Sequence, residues 1–306
     1  AREETTRMLN IYADFCENYL AMPVTRGRKT DKEKFNGAEE TYCVEGMMHD
    51  RKALQAGTSH YFGDGFAKAF DITFTGSDNQ LHHPYQTSWG VSTRLIGGII
   101  MTHGDDNGLV LPPRVAPIQV VVLPIAMHKG GVLEKAQELK VRLEAAGLRV
   151  KLDDSDKAPG WKFAEYEMRG VPLRVEIGPK DMEKDQCCVA RRDTGEKSFV
   201  PLAALEDTVK TLLDDIHNNM YAMAKKNLEN NSFTAETWEE VRKLVEENGG
   251  GFIHTKWCGS LDCEVAMKEK AGVTSRCMPL DQSGTAGKCP VCGRDCETDI
   301  IWGVAY

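Results

Sequence analysis

Apolar and polar positions alternate along this chain in three successive styles. The opening stretch, AREETTRMLNIYADFCENY, carries Met8, Ile11, Tyr12, Phe15 and Tyr19 at helical spacing and predicts an amphipathic helix. TYCVEGMM (41–48) alternates imperfectly, as a sheet strand does, and FDITFTGSDNQ reads as a strand ending in a turn. RLIGGIIMT (94–102) is an apolar run that suits either a buried helix or a strand. Beyond the proline-punctuated link LPPRVAP the style changes. IQVVVLPI is wholly apolar, the mark of a strand covered on both faces. A helix over 131–146 follows, with Val132, Leu133, Ala136, Leu139 and Leu143 in phase. Strand LRVKLDD, a short helix around WKFAEYEMR and strand VPLRVEIGP complete a β-α-β-α-β order, which predicts an α/β layer with right-handed crossovers. CCVARRDTGEKSFVPL closes it as a hairpin turning near Asp193-Thr194-Gly195.

The third style begins with a polar helix from 218 to about Asn230, then a second helix capped by Thr234 and filled by Trp238, Val241, Leu244 and Val245. GGGF breaks the pattern before a cysteine-rich end. The expected domains are therefore 1–115, 116–217 and 218–306, a length that lets each bury a core. No run approaches the roughly 20 apolar residues of a membrane span. The chain starts inside a helix, with neither signal peptide nor start methionine, and so looks cut from a longer one.

Lysine and arginine number 38 against 46 acids, a net of −8, which argues against a broadly basic nucleic-acid surface and restricts any RNA recognition to a local patch. Of ten cysteines, Cys16, Cys43, Cys187 and Cys188 read as buried small hydrophobes, while six crowd into 258–296. Clustering favours metal in a reducing, cytoplasmic compartment over a secreted disulfide framework. Cys258-x4-Cys263, 25 residues, then Cys289-x2-Cys292 can close a tetrahedral zinc site; Cys277 and Cys296 are rival ligands by spacing alone. Four thiolates leave no open position, so the metal would be structural.

Two stretches carry further chemistry. In TSWGVSTR, Gly90 permits close backbone approach, and hydroxyls ahead of Arg94 suit phosphate. QAGTSH (55–60) sets Gln55, Thr58 and His60 around a glycine, able to hydrogen-bond a nucleotide and a small polar ligand, although such a segment is more often a plain loop. For Arg94 the ordinary alternative is a surface ion pair. HGDD (103–106) reads as a turn rather than metal-binding carboxylates, and His49, His82 and His83 as surface or satisfied polar groups. Lys162, Glu165, Glu167 and Arg169 form a charge run whose ordinary reading is a solvated face. No GxSxG elbow, Walker loop or Ser-His-Asp order is present.

Together QxGTSH, SWGxSTR and HGDDxGLxLPPRxAPxQV resemble the class II aminoacyl-tRNA synthetases, and in wording the prolyl-tRNA synthetases of archaeal/eukaryotic-like form. The resemblance implies a multidomain α+β and α/β fold: a partial class II antiparallel-sheet catalytic domain, an α/β anticodon-binding domain and a small zinc-binding α+β C-terminal domain. It implies a proline–tRNA ligase using ATP, Mg²⁺ and structural Zn²⁺, with tRNA(Pro) bearing a UGG anticodon as partner. Arg94 would be the catalytic phosphate clamp, and Gln55, Thr58 and Thr93 would orient ATP. Phe35, His60, Trp89 and Gly90 would form the proline pocket. Glu167, Arg174 and Lys180 would read the anticodon, and Cys258, Cys263, Cys289 and Cys292 would hold zinc. Tyr306, after a Trp-Gly step, would end the chain near the active site, although a terminus is ordinarily frayed. Class II motifs 1 and 2 are absent from these residues, so the piece alone is expected to be inactive in adenylate formation, and the parent to be a homodimer. The alternative is a noncatalytic zinc-stabilised RNA-binding or scaffold module.

Overall fold

A computed structural model describes all residues, 1–306, and divides them into two compact units. One contains 1–18, 22–102 and 225–306; the other contains 19–21 and 103–224. No helix is long and apolar enough to cross a membrane.

The first unit begins with α1 (Arg2–Asp14), continued by a π turn over Phe15–Tyr19. Its buried side is Thr5, Leu9, Tyr12, Ala13 and then Cys16, whereas Ile11 and Tyr19 remain about half exposed. The expected apolar stripe was thus displaced, and the π turn shifts the phase of the later residues. Strands β1 (Val24–Arg28), β2 (Glu40–Met47) and β3 (Ala53–Gly63) follow, then α2 (Gly65–Ala69). The strand expected in FDITFTGSDNQ contracts to β4 (Phe74–Thr75), an exposed hairpin with β5 (Leu81–His82). β6 (Gln86–Gly90) pairs with β3 and leads into α3 (Arg94–His103), so RLIGGIIMT is a helix.

In the second unit β7 (Val120–Pro124), β8 (Val150–Leu152) and β9 (Leu173–Ile177) are parallel, with α4 (Val132–Ala145) and α5 (Pro159–Met168) as crossovers. After the short α6 (Pro179–Met182), β10 (Gln186–Arg191) and β11 (Lys197–Pro201) form the expected antiparallel hairpin, giving the order β11-β10-β9-β7-β8. The apolar run of β7 has the anticipated cause. Val120 and Val122 join a core with Leu139, Leu143, Val209 and Ile216, while Val121 and Leu123 meet Tyr166 on the other side. Helix α7 begins well before the polar helix expected from 218: it runs from Leu205 to Asn230, and Leu205, Val209, Leu213, Ile216 and Met220 are buried.

From residue 225 the chain belongs to the first unit again. β12 (Ser232–Thr234) precedes α8 (Trp238–Asn248), whose N-cap is Thr237 and not Thr234. Thr237 and Glu240 form a reciprocal capping box, while Thr234 is committed to a parallel ladder with β13 (Phe252–Trp257). α9 (Leu261–Ala271), β14 (Thr274–Pro279), the small ladder β15 (Gly287–Lys288) with β16 (Asp295–Cys296), and β17 (Thr298–Gly303) complete the chain.

One eight-stranded sheet runs through this unit in the order β12-β13-β17-β14-β1-β2-β3-β6, so residues from both ends of the sequence share a ladder. The seam is β1 against β14, with Gly27 opposite Pro279. A Cβ at Gly27 would lie 2.5 Å from the Cys277 Cβ, so glycine permits the approach. Three buried charges meet there. Lys29 Nζ donates to Glu45 Oε1 at 2.8 Å and to the Arg276 carbonyl at 2.7 Å; Arg276 Nε donates to Glu45 Oε2 at 3.2 Å. Beside them Thr30 and Ser275 both donate to Glu264. Removing one partner from a buried pair typically costs about 3–5 kcal/mol, because the other charge is left without compensation.

Candidate functional site

The β2–β3 ladder decides which side chains share a face. Cys43 pairs with Thr58 and Val44 with Gly57, but Glu45 pairs with Gln55, so β3 carries one additional residue at Ala56. Strict alternation would set Gln55 and Thr58 on opposite faces; this bulge returns them to one. His60, opposite Thr41, lies on the same face. The other face is turned toward α1 and α3. Ser59 Oγ donates to the Thr5 carbonyl at 2.8 Å, and a Cβ at Gly98 would meet Leu54 at 3.0 Å.

β6 extends the arrangement: Gly90 pairs with Thr58 and Ser88 with His60. Trp89 pairs with Ser59 and so projects from the α1 side, 45 % exposed, away from His60. Ser92, Thr93 and Arg94 follow at the start of α3, where the Arg94 N–H donates to Ser92 Oγ at 3.3 Å. The Arg94 guanidinium is exposed and forms no ion pair, so the ordinary alternative for it is not realised. Gln55, Thr58 and Thr93 likewise make no side-chain hydrogen bond within the chain. An amide, two hydroxyls and a guanidinium thus have no partner within the chain.

Around His60 the groups are already engaged. Phe35 N–H donates to Thr41 Oγ1 at 3.0 Å, and that hydroxyl lies 3.0 Å from His60 Nδ1. With its oxygen accepting from Phe35, Thr41 can give its proton to Nδ1, which leaves Nε2 as the N–H. The Phe35 and His60 rings are 5.1 Å apart, and Phe62 closes the cluster at 5.8 Å from Phe35 and 6.0 Å from His60. Thus Phe35 and His60 come together as expected, and sequence reasoning missed Thr41 and Phe62. The alternation of 41, 43 and 45 along β2 was the available signal.

The chain end is tied down. Ala53 N–H donates to the Val304 carbonyl at 2.7 Å, and Tyr306 Oη donates to Asp50 Oδ2 at 2.5 Å. Burial and that bond push the phenol up to about 12. Tyr306 therefore ends beside the start of β3, close in sequence to Gln55, and is not frayed.

In the second unit, Glu167 and Arg174 line one cavity of about 110 Å³ with Tyr166, Val171, Arg191 and Arg192. Lys180 is exposed on α6 and does not line it. Arg174 is held by Glu176 at 2.9 Å and lies 4.1 Å over the Phe163 ring. The charge run resolves unevenly: Glu165 and Arg169 pair at the surface, but Lys162 is buried and donates to the Asp153 carbonyl at 2.8 Å. HGDD is a turn, with Asp105 and Gly108 exchanging backbone bonds at 3.1 Å. His82 is engaged by Asp78 and His83 by the Ile72 carbonyl.

The sulfurs of Cys258, Cys263, Cys289 and Cys292 all lie within 4.8 Å of one another. Cys258 and Cys292 are 3.7 Å apart. A tetrahedral zinc with bonds of about 2.3 Å has edges of about 3.8 Å, so the donor set fits that ion. A disulfide would need about 2.05 Å, and all ten cysteines are free. Arg294 donates to the Cys292 and Cys258 sulfurs at 3.4 and 3.6 Å, and its bond brings the exposed Cys292 thiol down to about 6, whereas burial raises that of Cys258. Cys277 is buried at the β1–β14 seam and Cys296 lies on β16; neither joins the four.

Two stretches of the chain match known families. The family described as "Anticodon binding domain" matches residues 119–212, and "Prolyl-tRNA synthetase, C-terminal" matches 238–306. Proteins named proline–tRNA ligase align along the chain. That of Ruminiclostridium cellulolyticum is 57% identical over 306 residues, 100% of this chain and 64% of its own length. That of Clostridium novyi is 55% identical over 304 residues, covering 99% of this chain and 63% of its own, and that of Lachnospira eligens is 55% identical over 306 residues. The chain thus spans somewhat under two thirds of these relatives.

Burial alone holds the His60 imidazole below its usual 6.5. The unfolded chain then binds the extra proton more readily, so this residue contributes stability at neutral pH that is lost as pH falls below about 6.5. An NMR titration of the His60 ring should give a midpoint under 6.5; a midpoint above it would contradict the packing described.

Proposed function

The chain is a relative of the proline–tRNA ligases along its whole length, and on that premise we propose that it supplies part of the adenylate site and the tRNA-reading surface of such an enzyme. In the reaction, proline's carboxylate attacks the α-phosphorus of ATP and expels pyrophosphate; the prolyl group then passes to the terminal ribose of tRNA. Positioning and charge stabilisation dominate such phosphoryl chemistry, so no protein base is needed for the first step. Arg94 neutralises triphosphate oxygens, with Mg²⁺ supplying further charge. Gln55, Thr58 and Thr93 orient the nucleotide. Phe35 and His60, with Gly90, border the proline side, and Thr41 fixes the His60 tautomer. Trp89 belongs to that pocket only through its position in the motif. Glu167 and Arg174 address anticodon bases; Lys180 belongs to that surface only through its position in the family pattern. Tyr306 braces the start of β3.

The observation that carries this reading is that Gln55 and Thr58 share one face of a bulged strand, that Thr93 and Arg94 follow its neighbour β6, and that none of the four side chains has a partner within the chain. Ligands supply what the fold leaves unpaired. The four thiolates suit a structural zinc, which would add folding free energy to the cysteine-rich end.

Two measurements test the reading. Binding of the chain to tRNA(Pro) at fixed salt should weaken about tenfold or more when the anticodon guanines are replaced, as expected for losing base contacts of about 1–3 kcal/mol each. Indifference to those bases would remove the tRNA assignment. Separately, metal analysis should find one zinc per chain, and chelation should unmask four reactive thiols while lowering the melting temperature. A metal-free chain of unchanged stability would exclude the structural role.

A further inference from the structure

The turn after α3 is built against the cavity that contains Glu167. Asn107 Nδ2 donates to Glu167 Oε1 at 3.2 Å. Asp105 grips Arg192 with both oxygens, at 2.7 and 2.6 Å, and Arg192 Nε donates to the Glu167 carbonyl at 2.9 Å. The Arg192 side chain is 5% exposed, so nearly all of it is committed to this grip. Leu109 and Leu111 N–H groups bond the carbonyls of Met168 and Gly170 at 3.0 and 3.2 Å. Gly108 has φ +129°, and a Cβ there would lie 2.6 Å from the Met168 Cα. Backbone, carboxylate and amide of one turn therefore converge on residues 167–170.

We propose that Asp105 and Asn107 are positioning residues for the reading of an RNA base by Glu167, an inference that rests on the tRNA reading above. A carboxylate recognises a base by accepting from two adjacent donors, such as the N1–H and amino group of a guanine. That requires the carboxylate plane to be fixed before the base arrives. Asn107 occupies one lone pair of Oε1 and so sets the rotation of the carboxylate. Through Arg192, Asp105 holds the backbone from which the Glu167 side chain springs. Neither residue touches the base; both act through Glu167.

The test uses the 306-residue chain and two RNA hairpins, one with a UGG loop and one with both guanines replaced by adenine. The readout is the ratio of their dissociation constants at one salt concentration. Asn107→Ala, an exposed position, should lower that ratio about five- to tenfold with the melting temperature unchanged, the loss expected for one ordinary, solvent-exposed hydrogen bond. Glu167→Gln should lower it at least as far, and the double variant no further than Glu167→Gln alone. Asp105→Asn should act in the same direction. A purely structural turn would weaken both hairpins equally and leave the ratio intact; that result overturns the proposal. If Glu167→Gln lowers the ratio and Asn107→Ala does not, the positioning role falls while the tRNA reading stands. If the unsubstituted chain does not distinguish the hairpins, both fall together.

Discussion

Glu45 is buried between two cations from distant parts of the sequence, and much else in its unit follows from that. A carboxylate taken out of water is tolerated only when paired and hydrogen-bonded. Lys29 and Arg276 supply both conditions, and Lys29 also takes the Arg276 main-chain carbonyl, so the bond joins backbones as well as side chains. β14 is thereby fixed against β1, and β1 against β2. Glu45 is the register partner of Gln55, which means that the seam and β3 meet at one rung of the ladder.

This arrangement divides labour by satisfaction. The side chains that hold the sheet have partners: Ser59 on α1, Thr41 on Phe35 and His60, Thr30 and Ser275 on Glu264. Those expected to meet a nucleotide do not. A rigid frame of paired groups keeps the unpaired ones at fixed separations, which reduces the ordering cost when a ligand binds. The same logic holds in the other unit, where the turn after α3 braces residue 167.

Several features are legible in the sequence alone. The apolar run at 120–124 announced a strand covered on both faces; the cysteine spacing announced a thiolate cluster but left Cys277 and Cys296 as rivals, and the four that the family resemblance selected converge. Asp105-Asp106-Asn107-Gly108 read correctly as a turn because Asx side chains bond their own backbone, as Asp105 does with the Asn107 N–H. Other features depend on non-local pairing, which local periodicity cannot encode. Nothing near Gly27 signals Pro279 as its partner, and nothing near Lys162 signals that Asp153 will bury it. The bulge at Ala56 is invisible to an alternation rule, yet it decides that Gln55 and Thr58 share a face. Thr234 and Thr237 are both plausible caps by composition; the glutamate three residues after Thr237 was the discriminating signal.

The buried charges at the seam join the two ends of the sequence into one cooperative sheet. Native-state hydrogen exchange in graded denaturant tests this directly, by comparing the slowest amides of β2 with those of β17. The account predicts that both sets merge onto one unfolding isotherm, with equal opening free energies, and that Lys29→Met lowers them together. Separate isotherms, with β17 opening while β2 stays protected, would contradict it.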